Sequence, residues 1–130
     1  MHKTFIKTAA QLAAMAVLLG AFGAHKLKDF ASVTALATYE TAVRYQFYHV
    51  FALLLTGILY KEYPFKQVIT AGKLFIIGTV IFSGSLYLLT YISIAGIDRL
   101  KWIGAITPIG GIILIIGWVL LAIGIKKKAL

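Results

Sequence analysis

Leu74-Phe75-Ile76-Ile77-Gly78-Thr79-Val80-Ile81-Phe82-Ser83-Gly84-Ser85-Leu86-Tyr87-Leu88-Leu89-Thr90-Tyr91-Ile92-Ser93-Ile94-Ala95-Gly96-Ile97 contains no charged side chain. The run is longer than the roughly 20 residues that carry an α-helix across a bilayer. Lys73 precedes it, and Asp98-Arg99-Leu100-Lys101 follows it and turns the chain back. Read this way, the stretch predicts a transmembrane span over about 74–97 and makes the protein a membrane protein.

Toward the C-terminus the uncharged run is Trp102 to Ile125. Thr107-Pro108 places a capping hydroxyl before a proline, the residue pair that opens a helix. A proline in mid-helix would strand the carbonyl four residues before it. The fourth span is therefore expected over 108–125, with Trp102 to Ile106 as an interfacial turn. Gly110, Gly117 and Gly124 recur every seven residues and predict a close-packing face. Lys126-Lys127-Lys128 ends it.

Toward the N-terminus Lys61 to Lys73 is a short basic connection. Pro64 breaks the helix before it, and Tyr60, Tyr63 and Phe65 form an aromatic belt. A second span is expected over 43–60 and a first over 5–24. The first has the outline of a signal peptide, but it is expected to be a retained helix. Ala16, Gly20 and Ala24, spaced by four, form a small-residue stripe for helix contact, and Gly84 sits in similar company between Ser83 and Ser85. Between the first two spans, Leu27, Phe30, Val33 and Ala37 recur at helical spacing with Lys28, Asp29, Ser32 and Thr38 between them. This predicts an interfacial amphipathic helix over about 27–42. If that helix starts late, Ser32 is its N-cap. The fold class is thus an all-α four-helix transmembrane bundle with an interfacial helix after the first span.

Composition agrees. The chain has 130 residues, 61% hydrophobic and 13% charged, where a soluble domain carries about 25% charge. So short a soluble chain could not bury that much apolar surface. The net charge of +9 resides in residues that flank apolar runs. Anionic lipid headgroups are therefore the expected partner, and nucleic acid is not. With no cysteine, disulfides and thiolate chemistry are excluded. Lys3, Lys7, Lys61, Lys66, Lys73 and the three tail lysines fall on one side of the membrane. Lys26, Lys28, Arg44, Arg99 and Lys101 fall on the other. The positive-inside rule then puts both termini in the cytoplasm.

Chemistry, if any, belongs to the polar residues in and beside the spans. Tyr39-Glu40-Thr41-Ala42-Val43-Arg44-Tyr45-Gln46-Phe47-Tyr48-His49 holds most of them. Glu40, Arg44 and Tyr48 lie at steps of four, Tyr45 and His49 run parallel to them, and Gln46 precedes His49 by three. His25 stands just past the first span. Three readings follow. The stripe is structural, with Glu40 and Arg44 as an ion pair and His49 bonded to Gln46, Ser83, Ser85 or Tyr87. Or it binds a ligand such as a lipid headgroup, a quinone or a partner's peptide. Or His25, His49 and Glu40 hold a metal, although no close ligand spacing supports that. No nucleophile–base pair, phosphate loop or HExxH occurs, so no enzyme is expected, and no cofactor. All four carboxylates, Asp29, Glu40, Glu62 and Asp98, sit at or beyond the span edges, which disfavours proton-coupled transport but not a passive pore.

Gly20-Ala21-Phe22-Gly23-Ala24-His25, the stretch Tyr39 to His49, Phe82-Ser83-Gly84-Ser85-Leu86-Tyr87 and Thr107-Pro108-Ile109-Gly110-Gly111, followed by Trp118, occur in that order. Together they resemble the bacterial membrane family catalogued as domain of unknown function 423, to which mitochondrial transmembrane protein 256 also looks similar. The resemblance covers nearly the whole chain. It implies a short multi-spanning protein of the bacterial cytoplasmic membrane and a shared site near His25, Arg44 and His49. It implies no activity. A non-enzymatic interaction, assembly or lipid-binding protein is the expected function, alone, as a homo-oligomer or in a larger membrane complex. A small oligomeric channel or transporter is the alternative.

Overall fold

The computed structural model describes residues 1–126; Lys127 and Lys128 of the tail lie outside the described residues. Among the described residues four helices are long and apolar enough to cross a membrane. Helix α1 spans Lys3–His25, α2 Val33–Leu59, α3 Lys66–Ala95 and α4 Thr107–Lys126. Short 3-10 segments at Leu27–Asp29 and Asp98–Ala105 join α1 to α2 and α3 to α4.

Local chemistry sets each boundary. The Ser32 hydroxyl accepts from Ala35 N at 3.1 Å and caps α2. This is the late start that the sequence allowed. The surface helix expected over about 27–42 is therefore divided. Its first residues form the 3-10 segment, and residues from Val33 on are the opening turns of α2, because the cap at Ser32 leads into a helix with no proline before Pro64. Phe65 stands at the N-cap of α3, directly after Pro64. The connection expected over 61–73 is correspondingly shorter. Residues 66–73 are helical because Val68, Ala71 and Gly72 recur at helical spacing and are buried, while Lys73 points outward. Gly96, at φ 70°, takes the left-handed position that ends α3. The run 98–105 before α4 is a separate 3-10 segment, and α4 begins at Thr107, one residue earlier than expected, because the Ile106 carbonyl accepts from Ile109 N and Gly110 N while the Thr107 hydroxyl is bonded to Ser85 and does not cap the helix.

Each helix packs on its neighbour in sequence: α1 on α2, α2 on α3, α3 on α4. The backbone N–H of His2 donates to the Gly57 carbonyl at 2.7 Å, which places the start of α1 against the end of α2. The start of α1, the end of α4 and the α2–α3 connection thus share one end of the bundle, and the two 3-10 segments share the other.

The α3–α4 contact follows a seven-residue register. A Cβ built on Gly110 would lie 2.6 Å from the backbone N of Phe82. On Gly117 it would lie 3.0 Å from the Phe75 ring, and on Gly124 2.6 Å from Val68. Each glycine of α4 thus receives a larger residue of α3. The heptad of glycines read from the sequence is this mating surface. Two other expected contact positions do not hold. Gly84 has no atom within 4 Å of its would-be Cβ, and Ala24 is exposed. On α1 the close approach comes one residue earlier, where Gly23 lies against the ring of Tyr39. Ala16 is fully buried, and Gly20 faces Val43 at ordinary contact distance.

Phe75, Val68, Ala71, Ala52, Leu114 and Leu121 form one core cluster, and Phe5, Ala9, Val50 and Leu53 form another. Large apolar side chains such as Leu18, Phe51, Val80 and Ile115 project from the outside of all four helices. That arrangement suits hydrocarbon surroundings.

Candidate functional site

The polar residues of α2 do not form one stripe. They divide among three directions, and each group does different work.

Gln46 is buried and bridges α1 and α3. Its Nε2 donates to the Leu12 carbonyl at 2.9 Å, and its Oε1 accepts from the Tyr87 hydroxyl at 2.7 Å. A side-chain amide suits this position because it donates and accepts at once. Ser83 donates to the Ala42 carbonyl at 2.8 Å and ties α3 to α2. Ser85 shares a hydrogen bond with Thr107 Oγ1, joining α3 to the start of α4. Tyr39, on α2, donates to the Leu19 carbonyl of α1, and its ring lies 5.4 Å from that of Tyr87.

His49 faces the α3–α4 side. Its Nε2 accepts from the Trp118 indole N–H at 3.1 Å, and its Nδ1 lies 2.8 Å from the Tyr45 carbonyl. An indole N–H only donates and a carbonyl only accepts. The ring is therefore the tautomer with its proton on Nδ1, and both nitrogens are engaged. Phe75 closes the cluster, with its ring 5.9 Å from His49 and 5.0 Å from Trp118. His49 thus finds none of its expected partners. Ser83 is bonded to Ala42, Ser85 to Thr107, and Gln46 to Leu12 and Tyr87, and the Trp of α4 supplies the bond instead. Tyr45 and Tyr48 are exposed, 5.5 Å apart, with Tyr45 also against Phe82.

Glu40 and Arg44 point away from the bundle. They line a cavity of about 240 Å³ between α1 and α2, together with Gly20, Gly23 and Ala24. The expected ion pair between them is not formed: the ion pair among the described residues joins Lys101 to Asp98 at 3.1 Å. Both side chains are exposed, and an exposed pair gains little over hydration.

The structure does not bring His25 and His49 together. His25 is exposed at the end of α1. Its neighbour Gly23 lies against Tyr39, which is ten residues, or about 15 Å, along α2 from His49. The described residues contain no cluster of three potential metal ligands.

Every buried side-chain nitrogen and oxygen among the described residues has a hydrogen-bond partner. Sequence reasoning missed Trp118 and Tyr39 as members of this network. The signal was present, since a Trp inside an apolar span carries a donor that must find an acceptor.

The order of these networked residues along the chain invites comparison with known sequences. Residues 19–111 match the profile of the family described as protein of unknown function DUF423. The chain belongs to the DUF423 family. Membrane proteins of the group named UPF0382 are similar over nearly the full length. One from Staphylococcus saprophyticus is 44% identical over 96% of this chain and 98% of its own. YwdK of Bacillus subtilis is 38% identical over 96% and 98%. One from a bovine strain of Staphylococcus aureus is 43% identical over 98% of both. No solved structure matches. The DUF423 chain described here is accordingly a membrane protein with four membrane-spanning helices.

Proposed function

We propose that this DUF423 protein is a non-enzymatic, lipid-binding interaction protein of the bacterial cytoplasmic membrane, with both termini in the cytoplasm. One observation carries the reading. Gln46, His49, Ser83 and Ser85 are engaged in bonds between helices, and Thr56 and Thr90 bond carbonyls of their own helices, whereas the charged pair Glu40 and Arg44 is left exposed beside a groove. A catalytic or transport site inside a membrane needs polar groups free to engage a substrate. Here the interior polar groups hold the bundle, and the surface faces lipid. The lysine-rich end, where α1 begins and α4 ends, supports the orientation by the positive-inside rule. The same end attracts anionic headgroups.

The test is native mass spectrometry after extraction in mild detergent, paired with flux assays in proteoliposomes. Retained phospholipid or a co-purifying membrane subunit, with no solute flux above empty vesicles, is the expected result. Specific flux of an ion or solute would overturn it.

A further inference from the structure

The groove between α1 and α2 has features that a general lipid-facing surface lacks. Its α1 wall is made of Gly20, Gly23 and Ala24, so it is shallow-walled and apolar. Its α2 wall carries Glu40 and Arg44 one turn apart, with Val43 between them. The spacing and order favour an i,i+4 ion pair, yet neither side chain has an ion-pair or hydrogen-bond partner among the described residues. Both lie beside the same open volume of about 240 Å³.

Depth decides what can fill it. Helix α2 ends at Leu59 beside the aromatic residues Tyr60 and Tyr63, which mark one membrane interface. Roughly 20 helical residues cross the hydrocarbon layer. Counting back from Tyr60 places Glu40 at the opposite interface. Arg44 lies one turn, about 6 Å, toward the hydrocarbon, and its long side chain reaches up to the phosphate level. Cation and anion are therefore stacked along the membrane normal, with the cation on the inner side.

A phospholipid with an amine-bearing zwitterionic headgroup has the complementary order. Its phosphate lies deeper, and its ammonium projects outward. We infer that such a lipid seats in this groove, its phosphate on the Arg44 guanidinium and its ammonium on the Glu40 carboxylate, with an acyl chain descending from the glycine-lined wall. Guanidinium matches phosphate through paired donors. Carboxylate accepts from ammonium and disfavours a second negative charge. This inference deepens the lipid-binding reading above and rests on it.

The experiment titrates the delipidated full-length protein in detergent with phosphatidylethanolamine, phosphatidylglycerol or phosphatidic acid and reads bound lipid by native mass spectrometry. Wild type is compared with Arg44→Gln, Glu40→Gln and Arg99→Gln, the last an exposed cation at the same end. Arg44→Gln should weaken binding of phosphatidylethanolamine by roughly tenfold, the scale of a lost charge-assisted hydrogen bond. Glu40→Gln should weaken phosphatidylethanolamine selectively and narrow its advantage over phosphatidic acid. Arg99→Gln should change neither. Phosphatidylglycerol bound as tightly as phosphatidylethanolamine by wild type would overturn the assignment of Glu40. Lipid lost equally from the Arg44 and Arg99 variants would overturn the site while leaving lipid binding in place. A wild-type protein that binds none of the three lipids would remove the underlying reading as well. Each variant's thermal unfolding is measured alongside, and an unchanged midpoint confirms that the comparison concerns a folded protein.

Discussion

Trp118 donates its indole N–H to Nε2 of His49 over 3.1 Å, tying α4 to α2 past the Phe75 ring of α3. Sequence neighbours account for the other major helix contacts, so this bond joins elements that the chain order alone keeps apart. Trp118→Phe keeps the aromatic packing but leaves Nε2 without a donor. A loss of about 1–3 kcal/mol is expected, the penalty for an orphaned buried acceptor. His49→Gln should lose less than His49→Leu, because an amide oxygen can still accept from the indole. Thermal unfolding in detergent reads all three, and equal midpoints for the Gln and Leu variants would refute the hydrogen-bonded role.

The glycine register yields a matched pair. At Gly110 a Cβ would meet the Phe82 backbone at 2.6 Å, whereas at Gly84 it meets nothing within 4 Å. Gly110→Ala should push α4 from α3 and destabilise by about 1–3 kcal/mol, the usual range for overpacking. Gly84→Ala should be neutral or mildly stabilising, since alanine favours a helix over glycine by about 1 kcal/mol. The same unfolding assay decides between them. A tolerated Gly110→Leu would exclude the close contact altogether.

Gln46 bridges three helices through two bonds. Replacing it with leucine removes a donor and an acceptor together and leaves the Tyr87 hydroxyl unpaired. We expect a loss of about 1–3 kcal/mol, and less from Gln46→Leu in a Tyr87→Phe background, where no hydroxyl is orphaned. A double-mutant cycle measures the coupling. Strict additivity would show that the two side chains do not interact.

The chain is free of cysteine, so single cysteines report topology cleanly. Ser32→Cys and Arg99→Cys should react with an impermeant thiol reagent added to intact cells, and Lys66→Cys only after permeabilisation. The reverse pattern would invert the proposed orientation.

The four spans were legible because charge is excluded from long runs, a constraint the bilayer imposes on any sequence. The Ser32 cap, the start of α4 near Thr107-Pro108 and the seven-residue glycine spacing were legible for the same local reasons, although the Thr107 hydroxyl bonds Ser85 and does not cap its own helix. Lateral partners were not. His49 was expected to bond to Gln46, Ser83, Ser85 or Tyr87, and which helix it faces depends on rotations of about 100° per residue, accumulated along α2 and set by packing elsewhere. An error of one position redirects a side chain to a different neighbour. Ala24 and Gly23 show this directly, since the residue against Tyr39 is the one just before the spacing-of-four stripe. The Glu40–Arg44 pair failed for a different reason. Spacing measures proximity along the helix, while an exposed pair competes with solvent and headgroups.

The glycines of α4 have their counterparts within α3, separated from them only by the 3-10 segment 98–105. The second half of the chain therefore carries both surfaces of its own mating contact. During synthesis α3 and α4 can settle against each other as a hairpin as soon as α4 leaves the translocon, without waiting for the N-terminal half. The Trp118–His49 bond, which needs α2 as well as α4, would form only once that hairpin meets the N-terminal half. Expressed as separate fragments split between residues 60 and 66, the two halves should each insert and then find one another in the bilayer.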